Sequence, residues 1–141
     1  MIEYKRIFID TAPFIYYLEN NPMYFDKMMR FFSECLEKEV EMVTSAITVE
    51  EYLVYPYANN KMELAENFER FLSYMKIEII PTDKKIAKKG ARIRAEYKDF
   101  KAMDSLQIAT AIESGCDAFF TNDKQLRLEK ELPCITMDNL E

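Results

Sequence analysis

Short apolar runs alternate along this chain with longer stretches of helical period. The runs "RIFID" (6–10), "EMVTS" (41–45), "KIEIIP" (76–81), "DAFFTN" (117–122) and "CITM" (134–137) each predict a strand. Between them, apolar residues recur at three- and four-residue intervals, which predicts helices over about 13–19, 23–38, 48–57, 60–75, 83–97, 102–114 and 123–130. The segment 60–75 shows this period well, with Met62, Leu64, Ala65, Phe68, Phe71, Leu72 and Met75 on one side. Strands separated by helices require crossover connections, so the expected architecture is α/β, a parallel sheet covered on both faces. No repeat, linker or low-complexity segment interrupts the pattern, and a single domain over 1–141 is expected.

Composition narrows the chemistry. At 49% apolar the chain is rich enough to build a core, and no apolar run approaches the length of a bilayer span. The opening "MIEYKR" lacks the apolar segment of a signal peptide, so a soluble cytoplasmic protein with no membrane partner is expected. Cys35, Cys116 and Cys134 form no CxxC pair and read as reduced, buried thiols rather than zinc ligands. There is no histidine, which excludes Ser-His-Asp, Cys-His and His-ligated metal mechanisms. Glycine occurs only at positions 90 and 115, so no glycine-rich phosphate loop can be written. What remains is chemistry by carboxylates, hydroxyls and amines, with hard metal ions as the fitting cofactor.

The carboxylates stand at telling places. "KRIFID" ends on Asp10 and "AFFTND" on Asp123, both at the carboxyl end of a strand, where functional groups collect in open α/β sheets. Each also has a plain structural reading as a helix N-cap; Pro13 suits the first turn after Asp10, and Thr121 or Asn122 could cap in place of Asp123. Asp104, near the start of the apolar helix "KAMDSLQIATAIESG", gains from the helix dipole, and Met103 and Ser105 beside it suggest a semi-buried setting. In "TSAITVEEYLVYP", Thr48 with Glu51 fits a capping box, and Glu50 is the neighbouring acid. Only one of that pair can face inward, since successive helical residues point about a hundred degrees apart. Crossover topology would bring these strand ends to one edge. Carboxylates gathered there repel by about 4 kcal/mol per close pair at an effective dielectric near 20. Protonation or a divalent cation relieves that repulsion, and an oxygen-only donor set points to Mg²⁺ or Mn²⁺.

"FIDTAPFIYYLE", "TSAITVEEYL" and "MDSLQIATAIESGCDAFFTND", in this order, resemble the PIN domain and, within it, the VapC-type toxin ribonucleases. The resemblance covers nearly the whole chain. Its most specific part is the last motif, in which Asp104 opens an alanine-rich helix and a strand ends in Thr-Asn-Asp at Asp123. It implies a PIN-like three-layer α/β/α sandwich with a central parallel sheet of four to five strands. The implied catalytic acids are Asp10, Glu51, Asp104 and Asp123, with Asp10, Asp104 and Asp123 as metal ligands and Thr121 in support. Glu51 is preferred because the family's second acid falls six residues after the small residue ending the strand, here Ser45. Glu50 is one step out of register and stays as the fallback. The implied activity is Mg²⁺- or Mn²⁺-dependent hydrolysis of RNA phosphodiester bonds by the toxin of a toxin-antitoxin pair. An antitoxin partner and a homodimer follow from the same resemblance. The aromatic-rich "EEYLVYPYANN" departs from many relatives, which carry a small residue there.

A net charge of −6 is unusual for a protein that binds RNA, but the charge is unevenly spread. Residues 84–101 carry a net +6 and the remainder −12. Lys84, Lys88 and Arg92 recur every four residues with Lys85 and Lys89 alongside, a basic stripe opposite Ile86, Ala87, Gly90, Ala91, Ile93 and Tyr97. Two readings stand: a solvated helix face, or a binding surface for RNA phosphates. The Met- and Phe-rich segment "YFDKMMRFFSECL" is core by its period, though a Met-rich face also suits partner helices, and helices 23–38 and 48–75 are the expected partner groove. The rival to an enzyme is a catalytically silent PIN-like module that binds RNA or protein.

Overall fold

The computed structural model describes residues 2–140, the side chain of Leu128 apart; Met1 and Glu141, the ends of the expected domain, lie outside the described residues. Five strands appear where the apolar runs predict them: β1 (Arg6–Ile9), β2 (Glu41–Ser45), β3 (Glu78–Ile80), β4 (Ala118–Phe120) and β5 (Cys134–Ile135). They form one parallel sheet in the order β3-β2-β1-β4-β5. Six helices connect them: α1 (Thr11–Leu18), α2 (Phe25–Glu37), α3 (Ala46–Ala58), α4 (Met62–Tyr74), α5 (Lys84–Glu96) and α6 (Ala102–Glu113).

The strand order holds the fact that matters for the site. The chain steps outward from β1 to β2 to β3, then returns to lay β4 on the other side of β1. Right-handed crossovers therefore put α1–α4 on one face and α5–α6 on the other. The core divides in the same way. Ile7, Ile9, Met42, Ala118 and Phe120 pack with Phe14, Phe32, Phe68 and Leu72 on the first face. Phe8, Val43 and Phe119 pack with Ile86, Ile93, Ile108 and Ala109 on the second. Phe8 and Phe119, direct neighbours on β1 and β4, stack with ring centroids 5.2 Å apart. The reversal of direction makes the β1/β4 junction a topological switch point, and its carboxyl end is where a crevice opens.

Several boundaries differ from the predicted ones for local reasons. Helix α3 starts at Ala46 because Ser45 caps it, its hydroxyl accepting from the Ile47 and Thr48 amides at 3.1 and 3.2 Å. The expected Thr48–Glu51 capping box is thus absent, and Thr48 lies buried within the helix. Helix α1 begins at Thr11, two residues early, with Asp10 as its cap. The helix expected over 123–130 is a 3₁₀ turn, Lys124–Leu128; beyond it the Glu129 carboxylate folds back to accept from the Glu131 and Leu132 amides and ends the coil. Ala87 and Ala91, assigned to the inner face of α5, are exposed, and so is Met103. Among the described residues no helix is long and apolar enough to cross a membrane.

Helix ends show how so few glycines suffice. Five helices close through a residue with positive φ, at Asn20, Glu39, Asn60, Lys76 and Gly115. At each the following amide bonds back five residues, as Cys116 does to Ala111 and Ile77 to Leu72. Only one of these positions is glycine, and Glu39 and Lys76 bear the Cβ cost of left-handed backbone, roughly 1–2 kcal/mol each. Lys76 is exposed, so Lys76→Gly should raise stability by about 1 kcal/mol in urea unfolding at an unchanged m-value. Gly90 offers the opposite case. A Cβ there would lie 3.1 Å from Leu106 Cδ2, so Gly90→Leu should destabilise by about 2 kcal/mol through overpacking of α5 against α6.

Candidate active site

Four acids from four elements meet at the carboxyl edge of the sheet. Asp10 follows β1 and is anchored there, its amide donating to the Phe120 carbonyl of β4 at 2.9 Å. Its carboxylate is partly buried and takes three donors. Oδ1 accepts from the Thr11 amide at 2.9 Å and from Gln107 Nε2 at 3.2 Å, and Oδ2 accepts from Thr121 Oγ1 at 2.8 Å. Burial still pushes its pKa up, outweighing those donors, and the charge of Asp123 adds to the rise. Asp10 is thus both a helix cap and a member of the cluster.

Asp104 lies in the first turn of α6. Its pKa is pushed up to about 6, first by burial and then by the charges of Asp10, Asp123 and Glu51, with Lys101 offsetting only part. Asp104 thus lies within electrostatic reach of the other three acids. Glu51, on the second turn of α3, accepts a 2.6 Å hydrogen bond from Thr11 Oγ1; burial and the charges of Asp10 and Glu50 raise its pKa. The Glu51 side chain, not that of Glu50, is the one joined to the Asp10 loop. Asp123 is exposed, caps the 3₁₀ turn through the Gln125 amide at 3.0 Å, and donates its own amide to Thr121 Oγ1 at 3.1 Å. Thr121, 1% exposed, therefore links the Asp123 backbone to the Asp10 carboxylate.

Gln107 escapes sequence reasoning, although it stands one turn after Asp104 and breaks the apolar run of α6. It is 1% exposed and bonds to Ser45, Thr48 and Asp10. Its signal was a polar residue within the apolar stripe "LQIATAI". The free thiols fall into two groups: Cys35 and Cys116 are buried, whereas Cys134 is only partly so.

The basic stripe sits elsewhere than its sequence position suggests. Helices α5 and α6 pack antiparallel, with Gly90 against Ser105–Leu106 and Lys85 paired to Glu113 at 3.3 Å. Lys85 is thus opposite the far end of α6, roughly 13 Å along its axis from Asp104. Lys84, Lys85, Lys88 and Arg92 are exposed, while Lys89 is partly covered by a 2.5 Å bridge to Glu131. Lys85, Lys88, Lys89, Arg92 and Glu113 line a shallow cavity of about 270 Å³.

The family model for the PIN domain matches residues 7–130. The chain belongs to the PIN-domain family. Solved PIN-type structures share its fold at low identity. A VapBC2 complex from Rickettsia felis bound to a promoter DNA fragment superposes with a TM-score of 0.76 at 20% identity, covering 96% of this chain and 99% of that one. A toxin-antitoxin complex from Klebsiella pneumoniae gives 0.71 at 21% identity, covering 93% and 97%. VapC20 of Mycobacterium tuberculosis, described as a Sarcin-Ricin loop cleaving toxin, gives 0.67 at 12% identity, covering 85% and 93%. No curated protein matches the sequence.

The donor set of this PIN domain suits a hard divalent cation: it is oxygen-only, negatively charged and short of compensating bases. As they stand, no three Asp, Glu, Cys or His side chains among the described residues are grouped closely enough to hold an ion. The acids share an edge without enclosing a point.

The raised pKa values fix a pH dependence. A carboxyl group whose folded pKa exceeds its unfolded value of 3.8 favours folding when protonated, and that stabilisation is lost as pH rises through the folded value of about 6. Metal-free protein should therefore melt higher near pH 5 than near pH 7.5. Asp104→Asn should raise the melting temperature at the higher pH and flatten the difference. A melting temperature that falls on acidification over this range would contradict the electrostatic description.

Proposed function

We propose that this PIN-domain protein is a metal-dependent endoribonuclease that hydrolyses RNA phosphodiester bonds, the toxin of a toxin-antitoxin pair. The observation that carries the reading is the convergence of Asp10, Glu51, Asp104 and Asp123 at one sheet edge, where burial first and then the charges of the other three acids push the Asp104 pKa up to about 6. Capping alone does not call for this: a cap needs one acid at one helix, and here three elements contribute to the field on the fourth. Asp10, Asp104 and Asp123 would hold Mg²⁺ or Mn²⁺, with Glu51 at a second position or orienting water. When bound, such an ion lowers the pKa of water and offsets charge on the phosphate. The protein's own part is positional: Thr121 and Gln107 hold the two oxygens of Asp10, and Thr11 holds Glu51.

Lys84, Lys85, Lys88, Lys89 and Arg92 would receive the RNA backbone, with Arg92 nearest the acids along the stripe. Free cysteines suit a reducing cytoplasm. The structural relatives from Rickettsia and Klebsiella are toxin-antitoxin complexes, which supports an antitoxin partner here. Exposed Met29 and Leu36 on α2, with Val54, Tyr55, Tyr57, Met62 and Tyr74 on α3 and α4, offer apolar surface for that partner or for a second copy.

Millimolar Mn²⁺ should raise the wild-type melting temperature by about 9 °C if the ion is near a hundredfold above its dissociation constant. Asp10→Asn combined with Asp104→Asn should abolish the rise and lower cleavage of an unstructured RNA at least a hundredfold. Binding of Mn²⁺ without cleavage would favour a silent module; neither binding nor cleavage would remove the nuclease reading. Lys88→Ala with Arg92→Ala should leave the Mn²⁺ shift unchanged and weaken RNA binding. The slope of log affinity against log salt should then shrink by about 1.4 for two lost phosphate contacts. An unchanged slope would exclude the stripe as the RNA surface.

A further inference from the structure

Of the three donors on the Asp10 carboxylate, one is its own helix's first amide and one comes from the adjoining strand β4. The third, Gln107 Nε2, comes from α6, the helix that carries Asp104. Gln107 is 1% exposed, and an amide so buried costs stability unless all its polar atoms are matched. Here they are: Oε1 accepts from Ser45 Oγ, and Nε2 donates to Thr48 Oγ1 at 2.7 Å as well as to Asp10.

The direction of this chain is determined by counting hydrogens. Ser45 Oγ already accepts two amides, from Ile47 and Thr48, so its hydrogen must go to Gln107 Oε1. That orients the Gln107 amide with its nitrogen toward Asp10. Donors therefore point one way throughout, from the N-terminus of α3 through Ser45 and Gln107 to the Asp10 carboxylate. A single side chain joins the end of β1, the first turn of α3 below Glu51, and the first turns of α6 that bear Asp104. Packing alone does not require this, since an apolar side chain of similar volume would fill the space with no polar group to match.

We infer that Gln107 is a positioning residue of the acid site, fixing the carboxylate orientation of Asp10 and its placement relative to Asp104 and Glu51 for a divalent cation. The inference rests on the proposed metal-dependent function and adds a residue to it. Gln107 itself does not touch the ion or the substrate; it acts through Asp10. Buried partners that orient a metal-holding side chain are typically worth about ten- to a hundredfold in metal affinity or activity.

The test uses the full chain and Mn²⁺ as probe, with free Mn²⁺ followed by its EPR signal well below the melting temperature. Gln107→Met, near in volume and without polar atoms, should weaken Mn²⁺ binding about tenfold or more. Its KM for RNA should stay within about twofold of wild type, and its kcat, reduced at limiting Mn²⁺, should recover at saturating Mn²⁺. Asp10→Asn should not recover. Should Gln107→Met fail to fold, Gln107→Asn, which keeps the amide but is too short to span Ser45, Thr48 and Asp10, should show the same pattern. A Gln107 variant with lowered metal-free stability but the wild-type Mn²⁺ affinity overturns the positioning role and leaves the nuclease reading intact. A wild-type protein that binds no Mn²⁺ overturns both.

Discussion

Between β1 and β4 the chain pairs residues more than a hundred positions apart, Ile7 with Ala118, Phe8 with Phe119 and Ile9 with Phe120, and one step further the Asp10 amide closes on the Phe120 carbonyl. This pairing stands where the sheet reverses its direction of growth. It sets Asp10 beside the Thr121–Asp123 segment, and the helices that flank the reversal bring Glu51 from one face and Asp104 from the other. Without it each acid would remain a residue at the start of its own helix, remote from the others. The stacked Phe8 and Phe119 rings and the two core clusters hold the pair in register, so the hydrophobic packing of the sheet is what brings like charges together.

The assembly is held against its own repulsion. Burial raises the pKa of Asp10, Glu51 and Asp104 together, and the charge of Lys101 relieves Asp104 only in part. Hydrogen bonds from Thr11, Thr121 and Gln107 oppose the rise without cancelling it. A folded state that keeps such a cluster gives up stability at neutral pH. This is the pattern expected where function, rather than stability, sets the residues. The PIN-domain fold supplies the edge, and polar side chains beneath it hold the carboxylates of Asp10 and Glu51.

Much of this was legible in the sequence because it depends on local pattern. Strand positions follow from apolar runs with turn-forming ends, and parallel topology follows from the helices between them. The placement of acids at strand ends could be read in the same way. What could not be read depends on partners distant in the chain. Capping and a place among the clustered acids look like competing accounts of Asp10 and Asp123; in the structure both cap a helix while the charge of Asp123 reaches Asp10, since a carboxylate has two oxygens and several lone pairs. Ser45, rather than Thr48, caps α3, because the strand turns into the helix at Ser45 itself. The stripe on α5 was visible as a period, but the antiparallel packing that carries its Lys85 end away from Asp104 was not. Gln107 was overlooked because an apolar period gives no weight to a single buried amide whose three partners lie up to 97 positions away.

Convergence of the four acids is the claim on which the rest depends, and carbon-detected NMR of the carboxyl groups in metal-free protein tests it without assuming any activity. Asp104 should titrate with a midpoint about 6, and in Asp10→Asn that midpoint should move down toward the ordinary carboxylate range. An Asp104 that titrates in the ordinary range in the wild type, and is indifferent to Asp10→Asn, would show that the acids do not share a field.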